Sequence, residues 1–153
     1  MSRPTAAIRD ASRADLPALR SVFERASLSN AGDRAALAAH PQALQFSWPT
    51  ARSARCRVAV DALDGGVVGF ATTTQADGAV ELVDLFVDPD RMRQGIARSL
   101  VDDVVAWART GGAHRIGVDG NPHARGFYEA VGFVVEGHVS TEFGPGLRLG
   151  LIL

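Results

Sequence analysis

The fold turns on one stretch: Leu82-Val83-Asp84-Leu85-Phe86-Val87-Asp88-Pro89-Asp90-Arg91-Met92-Arg93-Gln94-Gly95-Ile96-Ala97. A strand over Val80 to Val87 runs into Asp88-Pro89-Asp90 and stops, because proline has no N–H to continue a ladder. From Ile96 the period changes. Ile96, Leu100, Val104 and Trp107 fall on one helical face, with Ala97, Val101, Val105 and Ala108 beside them. Arg98, Asp102, Asp103 and Arg109 point outward, and Gly111-Gly112 stops the helix. Gly95 and Ala97 keep the turn free of bulk, so the backbone N–H groups of Arg93, Gln94, Gly95, Ile96, Ala97 and Arg98 can converge on one point. Unpaired N–H groups at a helix start, with the helix dipole behind them, make an anion site. Arg91, Arg93 and Arg98 add positive charge, and a pyrophosphate suits the place. A Rossmann fingerprint needs three spaced glycines after the first strand, and a P-loop needs Gly-Lys-Ser/Thr; this stretch has neither. Taken alone, the turn also fits a plain helix start, so its surroundings decide.

Upstream, Ala6 to Arg9 reads as a short strand. Leu16, Leu19, Val22, Phe23 and Ala26 then recur at helical spacing, and Pro17 in the first turn favours Asp15 over Ser12 as N-cap. A second helix is expected over Gly32 to Leu44, then a loop with Phe46 and Trp48. Cys56 to Asp61 and Val67 to Thr74 form a hairpin around Leu63-Asp64-Gly65-Gly66, and Asp77-Gly78 turns the chain into the Val80 strand. Downstream, Arg115 to Asp119 is a strand. Asn121-Pro122 opens a helix with Ala124, Phe127, Tyr128 and Val131 on its buried stripe. Gly132 ends that helix, and Phe133 to Glu136 and Leu147 to Leu153 close the chain as strands. One mixed, twisted sheet flanked by helices accounts for every element, in a single α/β domain over 1–153.

Two blocks together are specific. Arg93-Gln94-Gly95-Ile96-Ala97 after Leu85-Phe86-Val87-Asp88-Pro89 resembles the acetyl-CoA motif of the GNAT superfamily, Gln/Arg-x-x-Gly-x-Gly/Ala. Gly95 and Ala97 match its last two fixed positions; Met92 departs from its first, where Arg91 or Arg93 could supply the charge. Asn121-Pro122-His123-Ala124-Arg125-Gly126-Phe127-Tyr128-Glu129-Ala130-Val131-Gly132-Phe133 resembles the second block, Asn-x-x-Ala-x-x-Phe-Tyr-x-x-x-Gly-Phe. The element order resembles the family from residue 6 to 153, and the motifs cover 80 to 134.

The resemblance implies a mostly antiparallel sheet, splayed between its fourth and fifth strands and flanked by about four helices. It implies acetyl-CoA as co-substrate and an amine acceptor, with transfer by direct attack and no acyl-enzyme. Leu85, Phe86 and Val87 would offer backbone groups to the pantetheine arm, and Arg93 to Arg98 would hold the diphosphate. Arg125 falls among the coenzyme contacts, as does Asn121, whose other reading is a helix N-cap. Tyr128, the only tyrosine, would be the general acid; its other reading is a core aromatic. Glu81, fourteen residues before Gly95, stands where the histone acetyltransferase branch carries its base; Asp84 is the rival.

Bulk properties exclude other classes. A net charge of -1 argues against a general nucleic-acid coat. One cysteine, Cys56, excludes an internal disulfide and points to a reducing cytoplasm. No leader or membrane span is expected, and His40, His114, His123 and His138 lack metal spacing. A homodimer is common in the family, though no residue here specifies one. A small amine or amino acid is the favoured acceptor. A protein acetyltransferase, a non-catalytic acetyl-CoA sensor and a pure interaction module remain as rivals.

Overall fold

The computed structural model describes residues 6–29, 54–141 and 144–153. Seven strands appear among them: β1 (Ala6–Asp10), β2 (Arg55–Asp61), β3 (Val67–Ala76), β4 (Ala79–Val87), β5 (Arg115–Gly120), β6 (Val134–Thr141) and β7 (Gly144–Ile152). Their order in the sheet is β1-β2-β3-β4-β5-β7-β6. Three α-helices are described: α1 (Leu16–Leu28), α2 (Ile96–Thr110) and α3 (Arg125–Ala130). The helix expected over Gly32 to Leu44, and the aromatics Phe46 and Trp48, lie outside the described residues.

The pair β4 and β5 is parallel, which requires a crossover, and α2 is that crossover. β1–β2, β5–β7 and β6–β7 are antiparallel. The parallel register joins Ala79, Val80, Glu81 and Leu82 to Arg115, Ile116, Gly117 and Val118, while β4 itself continues to Val87 and β5 to Gly120.

The chain divides into two compact units, and the boundary cuts the β3–β4 hairpin. The first takes residues up to Thr72 and Asp84–Leu100. Its core is Leu19 and Val22 of α1 against Cys56, Val58 and Phe70 of β2 and β3. The Leu, Val and Phe side chains among them each contribute about 1.5–3 kcal/mol on burial. Phe86 of β4 extends this core, edge-on to Phe23 at 4.9 Å and tilted to Phe70 at 5.7 Å. Asp15 is the N-cap residue of α1, as expected, but its side chain caps no helix N–H. A single 3₁₀ turn, Arg13–Asp15, precedes the helix. The Asp15 carboxylate turns back to accept the Ser12 N–H at 2.8 Å and Arg9 Nη1 and Nη2 at 2.8 and 2.9 Å.

The second unit takes Thr73–Val83 and Val101–Leu153. Here Val80, Leu82, Ile116, Val118, Leu147 and Leu149 are buried. So are Val101, Val104 and Ala108 of α2. The helix ends in a Schellman pattern, with Ala113 N–H bonded to Ala108 C=O at 3.0 Å and Gly112 N–H to Arg109 C=O at 3.1 Å. The last hairpin is longer than its sequence pattern suggested. β6 runs on to Thr141, and a register shift between Val135 and Gly137 makes Glu136 the extra residue of a bulge.

Candidate active site

In the first unit, β4 leads through a 3₁₀ turn, Pro89–Arg91, into the glycine turn. Asp88 caps that turn, accepting the Asp90 N–H at 3.0 Å, and also pairs with Arg25 at 2.8 and 2.9 Å. Arg93 and Gly95 both take positive φ, 63° and 78°. A side chain at Gly95 would meet no atom within 4 Å, so glycine is required there by conformation and not by crowding. Arg93 carries the same conformation at a cost of about 1–2 kcal/mol. The first helical bond of α2 is Ser99 N–H to Gly95 C=O at 3.0 Å. The N–H groups of Ile96, Ala97 and Arg98 therefore have no acceptor within the helix. Arg93, Gln94, Gly95 and Arg98 are exposed.

Arg91 does different work from that expected. Its Nη2 pairs with Asp61 Oδ2 at 2.6 Å and its Nε donates to Gln94 Oε1 at 3.0 Å, so it ties the turn to the end of β2. The exposed cations at the turn are Arg93 and Arg98.

Asp84 lies on β4 of the same unit, half-buried, and accepts a short hydrogen bond from the Thr72 hydroxyl of β3. Burial pushes its carboxyl above the usual range, and the Thr72 bond offsets this only in part. Burial, with Asp84 the next contributor, also pushes the Cys56 thiol up to about 12, so this cysteine stays protonated and unreactive. Leu85 and Phe86 are half-buried and Val87 is buried.

In the second unit, Glu81 belongs to an ionic cluster centred on Arg148. Arg148 of β7 grips it at both oxygens, Nη1 to Oε1 and Nη2 to Oε2, the latter at 3.0 Å. Arg148 Nη1 also donates to Asp119 Oδ1 of β5 at 3.1 Å. These bonds, chiefly that to Glu81, raise the guanidinium pKa further. Beside them Arg115 pairs with the bulge residue Glu136 at 2.7 Å and holds its carboxyl below the ordinary range.

Tyr128 of α3 is buried, and its ring packs against Phe127 at 5.2 Å and Phe133 at 5.5 Å. Burial pushes its hydroxyl up to about 12. The Asn121 side chain accepts the His123 N–H at 3.3 Å, which caps the 3₁₀ turn Pro122–Ala124 ahead of α3. Arg125 pairs along its own helix with Glu129 at 2.6 Å. Of the expected stripe only Tyr128 is fully buried; Ala124, Phe127 and Val131 are half-buried. Among the described residues no group of His, Cys, Asp and Glu could hold a metal ion. No helix among them is long and apolar enough to cross a membrane.

The family model described as "Acetyltransferase (GNAT) family" matches residues 19–133, which include the glycine turn and the Asn121–Phe133 block. The chain belongs to the GNAT acetyltransferase family. That membership implies acyltransferase activity. Comparison with curated protein sequences finds no match. Solved structures share the GNAT fold. A GCN5-related N-acetyltransferase from Rhodopseudomonas palustris superposes with a TM-score of 0.77 at 22% identity, over 100% of this chain and 99% of the other. PaiA N-acetyltransferase from Thermoplasma acidophilum, solved with coenzyme A, gives 0.75 at 16% identity, over 100% of both chains. The ribosomal-protein-S18-alanine N-acetyltransferase from Escherichia coli gives 0.71 at 20% identity, over 96% of this chain and 93% of the other. At these identities the likeness is one of fold.

Within this GNAT domain, sequence reading missed Thr72, Gly117 and Arg148. Only Gly117 left a signal, since a glycine inside a strand marks a close approach.

Proposed function

We propose that the chain transfers an acetyl group from acetyl-CoA to a primary amine, by direct attack in a ternary complex, with a small amine or amino acid as acceptor. The glycine turn carries this reading: N–H groups of Ile96, Ala97 and Arg98 with no acceptor in the helix follow a left-handed Gly95, flanked by Arg93 and Arg98. A diphosphate fits such a helix start. The pantetheine arm would lie along β4 past Leu82, where Leu85, Phe86 and Val87 supply backbone partners. Asn121 and Arg125 stand as further contacts to the coenzyme, each reached by loosening the local bond it now makes.

The acceptor nitrogen attacks the thioester carbonyl carbon, and the C–S bond breaks as the intermediate collapses. A proton leaves the amine and another joins the departing sulfur. Asp84 suits the first transfer, because its raised pKa brings a carboxylate toward the range of a useful base. Glu81 suits it less, since Arg148 occupies both its oxygens. Tyr128 suits the second. A hydroxyl near 12 gives its proton uphill to a thiol of about 8.5 in water, but burial raises a thiol too, as it does for Cys56. The protonated Cys56 leaves no thiolate for an acyl-enzyme. A cytoplasmic setting fits the single cysteine, Cys56, which forms no internal disulfide.

Calorimetry with acetyl-CoA, followed by coenzyme-release assays over amines, amino acids and peptides, tests the reading. Tight binding and turnover are expected. Tyr128→Phe should keep the binding and lose about 10²-fold or more in kcat. Binding without turnover over the whole panel would leave a sensor module, and absence of binding would leave an interaction module.

A further inference from the structure

The Glu81–Arg148–Asp119 cluster joins three neighbouring strands through one side chain. Asp119 and Arg148 face each other directly across β5 and β7. Glu81 lies one strand further, opposite Gly117 of β5. To reach it, the Arg148 guanidinium crosses over β5, and Gly117 is the bare patch that lets it pass. A Cβ at Gly117 would stand 2.9 Å from both Arg148 Cζ and Glu81 Oε2, closer than any ordinary contact. The position of this bridge along the strands is informative. The parallel pairing of β4 with β5 ends at Leu82 and Val118. Glu81 precedes the last paired residue of β4, and Asp119 follows the last paired residue of β5. The bridge therefore straddles the end of the pairing. Its three side chains are 31%, 37% and 52% exposed for Arg148, Glu81 and Asp119, so it lies over the sheet and does not fill a core.

We propose that Arg148 is a positioning residue: it clamps β4, β5 and β7 at the last parallel rung and so fixes where the β4 backbone becomes free to pair with the pantetheine arm of the coenzyme. The inference rests on the coenzyme reading given above. A parallel pair without the clamp has two ways to fail. It zips further and covers the backbone that the arm needs, or it frays and loses its register. Either error falls on the arm and spares the diphosphate, which the glycine turn holds through its own backbone.

Two probes separate these effects. Coenzyme A carries the arm; its nucleotide half, ADP with a phosphate on the ribose 3′ oxygen, does not. With Arg148→Met, the Kd for coenzyme A should rise about tenfold, while that for the nucleotide half stays at the wild-type value. Gly117→Ala evicts the guanidinium by another route and should do the same. Arg148→Lys, which keeps the charge and can hold one carboxylate, should fall between wild type and Arg148→Met, and serves if the methionine variant does not fold. Unchanged affinity for both probes in the variants overturns the proposal. So does an equal loss for both, which would make Arg148 an ordinary structural residue. Failure of the wild-type protein to bind coenzyme A is a separate result, and it removes the coenzyme reading itself.

Discussion

Two carboxylates stand three residues apart on β4, and their surroundings suit them to different work. Glu81 gives both oxygens to Arg148. Asp84 has a hydroxyl partner, Thr72, and no cation partner among the described residues, and burial raises its pKa. A general base needs a free lone pair and a pKa nearer the working pH than an ordinary carboxylate offers. By that measure the spacing argument, which favoured Glu81, yields to the environment. Asp84→Asn should lower kcat by about 10²-fold and abolish the acid limb of kcat/KM, which lies above the usual carboxylate range because the folded pKa is raised. Glu81→Gln should raise the KM for acetyl-CoA through the clamp and leave that limb where it was. A pH–rate series on the two variants decides. A limb that survives in Asp84→Asn and moves in Glu81→Gln would return the role to Glu81.

At the scale of the element, the glycine turn depends on two left-handed residues in a row of six, Arg93 and Gly95. An added side chain at Gly95 meets no neighbour, so substitution there tests backbone conformation alone. Gly95→Ala should cost about 1–2 kcal/mol and weaken acetyl-CoA binding; Gly95→Asn should cost less, since asparagine tolerates the left-handed region. Equal losses for Ala and Asn in thermal unfolding would show that the turn does not need this conformation. This turn was legible in the sequence because it is local: a strand, a proline stop, a small residue and a new period follow one another directly. For the same reason the expected bounds of β1 to β5 and α2 lie within two residues of those observed. β6 was under-read because Gly137, His138, Ser140 and Thr141 give its outer half no apolar alternation, and because Glu136 shifts the period by one at the bulge. α3 was over-read at its start, where Pro122 opens a 3₁₀ turn and not an α-helix. The Glu81–Arg148 pair was illegible. Its members are 67 residues apart, and only the register of β7 on β5 brings them together.

For the whole molecule, acid stability is set by carboxyls that pull in opposite directions. Asp15 is held at about 2, first by the Arg9 guanidinium and then by the Ser12 N–H. Asp61, through the Leu63 N–H and Arg91, and Glu136, through Arg115, are likewise held low. A carboxyl whose folded pKa lies below its unfolded value of about 3.9 stabilises the fold fully above that value. It loses this contribution as pH falls through the folded pKa. Asp84 has the reverse sign. Its raised folded pKa is a penalty at neutral pH, relieved as pH falls through that pKa toward the unfolded one. Arg9→Met should therefore destabilise the protein at pH 7 by about 1 kcal/mol, a figure that allows for the half-exposed guanidinium. In denaturant titrations the difference from wild type should shrink between pH of about 4 and about 2, where Asp15 becomes protonated in both proteins. Asp84→Asn should do the opposite, gaining stability at pH 7 and losing the gain in acid, while it loses activity. A residue that costs stability and is needed for turnover is what a functional site predicts. An Arg9→Met difference that holds constant down to pH 2 would show that the bridge contributes through packing and not through charge. An Asp84→Asn variant no more stable than wild type at pH 7 would show that the buried carboxylate carries no penalty, and its value as a tuned base would go with it.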